Sequence, residues 1–190
     1  TCDSITFYSK QNKIESTGNP KVVDLEYNLK SDTLIYFTEL DSGIALGQVE
    51  LYQNKQKIKA DRIEYIKKSG SNTLSYNAIG NVIIEDSLRT ATCGLATYNH
   101  TIEETQLEIK PKIIDDKRAL HGKKIIMRYE QKKLKNIYIP QNAQASTITE
   151  GYKKTINDTT QIELKSEFND DMTSASLEGF FNDGILDSLR

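Results

Sequence analysis

The chain has 190 residues, of which 37% are hydrophobic and 27% charged, and 25 basic residues nearly balance 27 acidic ones to give a net charge of −2. Apolar runs no longer than three or four residues exclude a membrane-spanning helix, and the dispersed, balanced charge gives no electrostatic footprint for nucleic acid. Three prolines, no tryptophan and many Ile, Val, Thr and Tyr residues predict an all-β chain, because branched and aromatic side chains fit a pleated surface. The length suits one domain or a stack of smaller units.

In chain order the main signal is a repeat. Thr1 opens directly into strand-like sequence, so any export signal would lie upstream of the residues given. Tyr8, Tyr36, Tyr65, Tyr98 and Tyr129 end apolar-alternating segments and stand 28, 29, 33 and 31 residues apart. Eighteen residues before the last four stand Gly18, Gly47, Gly80 and Pro111, each turn-compatible and each followed by a short apolar strand. The unit is therefore about 30 residues and two strands. The second and third units read most clearly: Gly47-Gln48-Val49-Glu50-Leu51 leads to Ala60-Asp61-Arg62-Ile63-Glu64-Tyr65, and Gly80-Asn81-Val82-Ile83-Ile84 leads to Gly94-Leu95-Ala96-Thr97-Tyr98. Polar reversals at Gln53-Asn54-Lys55-Gln56 and Glu85-Asp86-Ser87 make each unit a hairpin or two-strand rung. The first unit, around Val22 and Tyr36, and the fourth, around Ile113 and Tyr129, are poorer copies.

Counting back by two from the tyrosines selects Leu34, Ile63, Ala96 and Met127, and the preceding strands offer Val49, Leu51, Val82 and Ile84 between polar neighbours. One face is apolar and the other wet. Ile58 and Ala60 share a parity that Ile63 and Tyr65 do not, which predicts a bulge that adds curvature. After Tyr129 the rhythm continues to Ile139. The polar stretch 140–160 reads as a turn-rich excursion, and 161–190 as further strands of the same fold, with Asn182-Asp183-Gly184 a hairpin turn and the fold cut short at Arg190.

The phrases Cys2-Asp3-Ser4, Ile14-Glu15-Ser16-Thr17-Gly18-Asn19-Pro20, Ala60-Asp61-Arg62-Ile63-Glu64-Tyr65 and Ile79-Gly80-Asn81-Val82 resemble the OstA/LptA-like (Lpt) domain, whose "G-N-V" strands are answered by "A-D-x-I-x-Y" strands. The resemblance covers most of 1–139, and the segment from Asp170 to Arg190 is similar to late strands of such domains. It implies an open, twisted β-jellyroll of stacked antiparallel strands, in the periplasm or at the periplasmic face of the outer membrane of a Gram-negative-type bacterium. It also implies lipopolysaccharide or a related lipid as cargo, other Lpt-type jellyrolls or further copies as partners through edge strands, no cofactor, and no catalytic residues.

A multi-acyl lipid needs a continuous apolar trough with a polar exterior, which a curved sheet alternating in period two supplies. Burial of acyl surface contributes on the order of 25 cal/mol per Å². The lipid-binding candidates are Val49, Leu51, Ile63, Tyr65, Val82, Ile84, Ala96, Tyr98 and Met127. Read without the resemblance, they pack against one another as the closed core of a β-solenoid spacer or interaction module. A lipid-facing barrel is disfavoured, since Glu50, Lys59, Arg62 and Glu64 would meet lipid. Lys123, Lys124, Arg128, Lys132, Lys133 and Lys135 read as a solvated strand face rather than a phosphate-binding rim. Neither His100 nor His121 stands at metal-ligand spacing, and no nucleophile or phosphate-loop motif occurs. Cys2 and Cys93 could pair, remain free or be buried, although a disulfide framework would use more cysteines.

Overall fold

Alternating apolar and polar residues give strands almost throughout, and the computed structural model describes residues 2–67, 74–115, 118–157, 160–182 and 185–190. Among these the strands are β1 (Ser4–Tyr8), β2 (Lys13–Thr17), β3 (Lys21–Val23), β4 (Tyr27–Lys30), β5 (Thr33–Phe37), β6 (Ser42–Gln53), β7 (Gln56–Lys67), β8 (Leu74–Glu85) and β9 (Arg89–Asn99). They continue with β10 (Glu104–Glu108), β11 (Lys112–Asp115), β12 (Arg118–His121), β13 (Lys124–Glu130), β14 (Lys133–Ile139), β15 (Ala143–Asn157), β16 (Thr160–Ser174), β17 (Leu177–Asn182) and β18 (Ile185–Leu189). All pairings are antiparallel and belong to one sheet. The only helical element among the described residues is a 3-10 turn at Ser9–Gln11.

The sheet is folded along a corner into two facing leaves. The first leaf runs β1-β2-β5-β6-β7-β8-β9-β10-β13-β14-β17-β18, using the halves of β6 to β9 that contain Ala45, Ile63, Ala78 and Ala96. The second runs β3-β4-β6-β7-β8-β9-β11-β12-β15-β16, using the other halves, which contain Leu51, Ile58, Ile84 and Ala91. Four long strands thus pass unbroken from one leaf to the other. Each two-strand unit adds two strands to each leaf, and the repeated tyrosines fall on β1, β5, β7, β9 and β13, every second strand of the first leaf.

The corner explains the glycines. Pairing slips between Leu46 and Val49, between Lys59 and Arg62, and between Ile79 and Val82. Gly47 and Gln48 have φ of 71° and 42°, and Gly80 and Asn81 have 75° and 45°. Two successive left-handed residues turn the strand, and glycine adopts that backbone without steric cost. Gly18-Asn19 repeats the step between β2 and β3. Asp3 just before β1, Asp32 just before β5 and Asp61 within β7 sit so close to Gly18, Gly47 and Gly80 that a Cβ on any of these glycines would overlap the carboxylate. Asn81 Nδ2 donates to Asp61 Oδ2 at 2.9 Å, and the Asp32 N–H donates to the carbonyls of Leu46 and Gly47 at 3.1 and 3.0 Å. The "G-N-V" and "A-D-x" phrases are therefore two sides of one corner step.

Two sequence expectations are corrected here. The glycines do not precede strands but lie inside or between strands at the bend, and in the fourth unit the left-handed pair is Ile109-Lys110 (φ 62° and 55°), not Pro111. Proline cannot take the step, because its ring fixes φ near −65°. Residues 140–160 are not a turn-rich excursion: β15 occupies Ala143–Asn157 and pairs along its length with β16. Its polarity conceals an alternation in which Ala143 and Ala145 point inward, and the pairing of Gln144 to Thr147 with β12 supplies the ladder that composition does not advertise. The Asp183-Gly184 turn lies outside the described residues, and β17 and β18 pair on either side of it.

Candidate functional site

The parity slip noted in β7 is what keeps the interior apolar around the bend. Ile58 and Ala60 before the corner and Ile63 and Tyr65 after it are all buried, because the one-residue slip returns the same side of the strand to the inside of both leaves. The nine candidate residues consequently meet. Val49, Leu51, Val82 and Ile84 project from the second leaf; Ile63, Tyr65, Ala96, Tyr98 and Met127 project from the first; all belong to one apolar cluster and none is more than 7% exposed. Sequence reasoning missed further members, among them Leu29, Leu107, Ile125 and Ile137. The alternation Ile125-Met127 and Ile137-Ile139 carried a usable signal for two of these.

Cys93 is a free, buried thiol pushed up to about 11 by desolvation, and Cys2 is also free. The opposite surface is charged and self-paired: Lys57 meets Glu50 at 3.0 Å, Lys59 meets Glu85 at 3.6 Å, and Arg62 meets Glu64. In the basic segment Lys124 pairs with Glu108 at 2.9 Å, Arg128 with Glu104 at 3.0 Å and Lys135 with Glu130 at 3.1 Å, as expected of a solvated strand face.

Away from the corner the two leaves end in lips, and here polar side chains missed by sequence reasoning join them. Gln53, on the second leaf, donates from Nε2 to the Leu74 carbonyl at 2.9 Å and accepts the Leu74 N–H at 2.8 Å. Asn54 Nδ2 donates to the Tyr98 hydroxyl at 3.1 Å, and Gln56 Nε2 to the Tyr129 hydroxyl at 3.2 Å. Lys67 pairs with Asp24 at 2.9 Å, a hydrogen bond that lowers the Asp24 carboxyl below its ordinary value, and Lys132 pairs with Glu26. These residues sit in or beside turns, where polarity is ordinary, so nothing in their spacing distinguishes them. Behind them stand Tyr65, Tyr76 and Tyr98; the last two rings lie 5.4 Å apart. Burial raises all three phenols, Tyr98 to about 12.

Between Ile113, Leu120 and Ala145 of the second leaf and Ile137 and Phe181 of the first lies a cavity of about 30 Å³, with Arg89, Asp115 and Arg118 at its rim. That is room for about one water.

Residues 28–133 match the family described as LptA/(LptD N-terminal domain) LPS transport protein. The chain belongs to that family. Among solved structures, LptH of Pseudomonas aeruginosa, the LptA-homologous periplasmic component of a lipopolysaccharide transport device, is similar with a TM-score of 0.51 and 15% identity, covering 57% of this chain and 79% of its own. That likeness shows the fold. No curated protein matches. The matched residues of this LptA-family chain extend from β4 to the start of β14 and include the corner steps Gly47-Gln48, Gly80-Asn81 and Ile109-Lys110 and all nine candidate interior residues. Its coarse function is thus a part in lipopolysaccharide transport, and the family is one of transport components rather than enzymes.

Proposed function

We propose that this chain is a periplasmic lipid-binding module that carries lipopolysaccharide toward the outer membrane, with acyl chains lodged between the two leaves against Val49, Leu51, Ile63, Tyr65, Val82, Ile84, Ala96, Tyr98 and Met127. The observation that carries this reading is the single apolar cluster extending from Leu29 in β4 to Leu177 in β17, lined by both leaves and enclosed by a charged exterior. An acyl chain placed there gains on the order of 25 cal/mol for each Å² removed from water and needs no polar recognition motif. Assembly is head to tail. Among the described residues β1 and β3 each pair on one side only, as do β16 and β18 at the other end, and such edges are templates for a further jellyroll of the same or a related kind.

The complete burial of Leu51, Ile63 and Ala96 within that cluster favours a second reading, a β-jellyroll spacer or interaction module whose core is its own. Photo-crosslinking to purified lipopolysaccharide separates the two. A photoreactive residue at Ile63 or Ile84 is expected to yield lipid adducts, and one at the outward-facing Glu50 none. Folded protein without adducts at either inner position would establish the spacer.

A further inference from the structure

We infer that the outward side of the first leaf is a docking surface for a second copy of this chain, packed back to back across a two-fold axis. Alternation turns one side of each strand toward the interior, and the other side is expected to be polar where it meets water. The second leaf obeys this rule. Its outward residues run Lys30-Glu50-Lys59 and Asn28-Tyr52-Lys57-Glu85 across β4, β6, β7 and β8. The first leaf does not. Opposite the buried Ala45, Ile63, Ala78 and Ala96, its outward rows across β5 to β9 are Ile35-Ile44-Glu64 and Leu46-Arg62-Ile79-Leu95, and a third row sets Ile66 between Ser42 and Ser75. Ile66 and Ile79 are 53% and 36% exposed, and Ile35, Ile44, Leu46 and Leu95 are partly exposed. A contiguous apolar patch of this kind marks a contact surface.

The patch has an apolar middle and a polar rim, the anatomy of a protein interface. Ion pairs flank it, Lys13–Glu15 at 3.3 Å on β2, and Glu104–Arg128 at 3.0 Å and Glu108–Lys124 at 2.9 Å beyond β9. The strands from β2 through β10 in sheet order, about 4.8 Å apart and three outward rows deep, give a footprint of roughly 600 Å² per copy, at the low end of what a specific dimer buries. Charge selects the occupant. Both signs occur within the patch and around it, so an anionic membrane surface gains nothing there, whereas an identical patch complements it. A two-fold axis running across the strands between the rows of Arg62 and Glu64 places Arg62 opposite the other copy's Glu64, and Leu46 opposite its Ile44. The Arg62–Glu64 pair made within one strand is then exchanged between copies, so neither charge is left unpaired as the face dries. Sheets packed in this way stand about 10 Å apart. The edge strands β1, β3, β16 and β18 lie at the ends of the leaves, outside this contact, so paired jellyrolls remain able to extend head to tail. The pairing is independent of what the interior holds.

The test is sedimentation equilibrium of the whole chain between about 1 and 200 µM, where an interface of this size is expected to give a dimer that dissociates in the micromolar range. Ile44→Asp and, at the more exposed position, Ile66→Asp are each expected to weaken the dimer at least tenfold while circular dichroism keeps the parent's strand signal. Arg62→Glu and Glu64→Arg set like charges against one another across the axis, and each is expected to weaken self-association at least tenfold. An equimolar mixture of these two variants is expected to restore a 1:1 dimer, and the Arg62→Glu, Glu64→Arg double variant to restore self-pairing. Failure of both to restore it overturns the two-fold arrangement. Association that none of the four single variants weakens overturns the proposal and belongs to the strand edges. A parent that stays monomeric overturns it as well, and binding of that monomer to phosphatidylglycerol vesicles, abolished by Ile66→Asp, would give the face to a membrane.

Discussion

The corner and the seam where the lips meet hold the same two leaves together by different means. At the corner, covalent chain is bent by pairs of left-handed residues and packed against aspartates, so the geometry is over-determined: glycine, small neighbour and carboxylate each exclude alternatives. At the seam, a handful of amides, hydroxyls and ion pairs close over buried tyrosines. The lesson is that a folded sheet can be held by covalent chain along one side and by side-chain contacts along the other while one apolar cluster fills the space between.

The sharpest way to break that contrast is to strain the corner. Gly80→Val places a branched side chain at φ 75° over the Asp61 carboxylate and is expected to cost about 3 kcal/mol or more, read from the midpoint of urea denaturation. An unchanged midpoint would show that the corner is not the rigid side. At the seam, Gln53→Ala strips both partners from Leu74, with a cost of about 1–3 kcal/mol if the lips stay dry. The contrast requires that the loss be local: the Leu74 amide exchanges at least tenfold faster while the amides of Ile63 and Ala78, in the first-leaf ladder, do not change.

A milder effect comes from alkali. Tyr98 is pushed up to about 12 by burial, so the folded protein keeps a proton that an unfolded tyrosine loses near 10, and stability falls as pH rises from 10 toward 12. Tyr98→Phe is expected to flatten that decline in denaturation midpoints taken between pH 9 and 11; a slope identical to the parent's would mean that Tyr98 is not the group concerned. Least sensitive is the exposed outer face. Lys59→Ala, which removes the 3.6 Å pair with Glu85, is expected to change stability by less than about 0.5 kcal/mol.

The legibility of the chain follows the same division. Period-two alternation placed all nine candidate residues in the interior, because a strand has only two sides and water selects between them. The tyrosine spacing gave the repeat, and the slip between Ala60 and Ile63 gave the bulge. What alternation does not encode is where a strand changes partners. Gly47 and Gly80 therefore read as the starts of strands when they are bends inside them, and Pro111 was aligned with a step that Ile109-Lys110 takes. Segment 140–160 read as irregular because it opens on the inward-facing Ala143 and Ala145, too small to raise the local hydrophobicity.

By itself, then, the sequence determined the class of structure, the repeat, the sidedness of each strand and the family resemblance, since all four are local properties written in residue type and period. Only the tertiary structure decided that the sheet folds back on itself, that the repeated Asp and Gly-Asn phrases face each other across the corner, and that Gln53, Asn54 and Gln56 close the far side. These are contacts between residues 15 to 73 positions apart, and which polar turn meets which tyrosine depends on strand twist and stacking, quantities that no window of sequence contains.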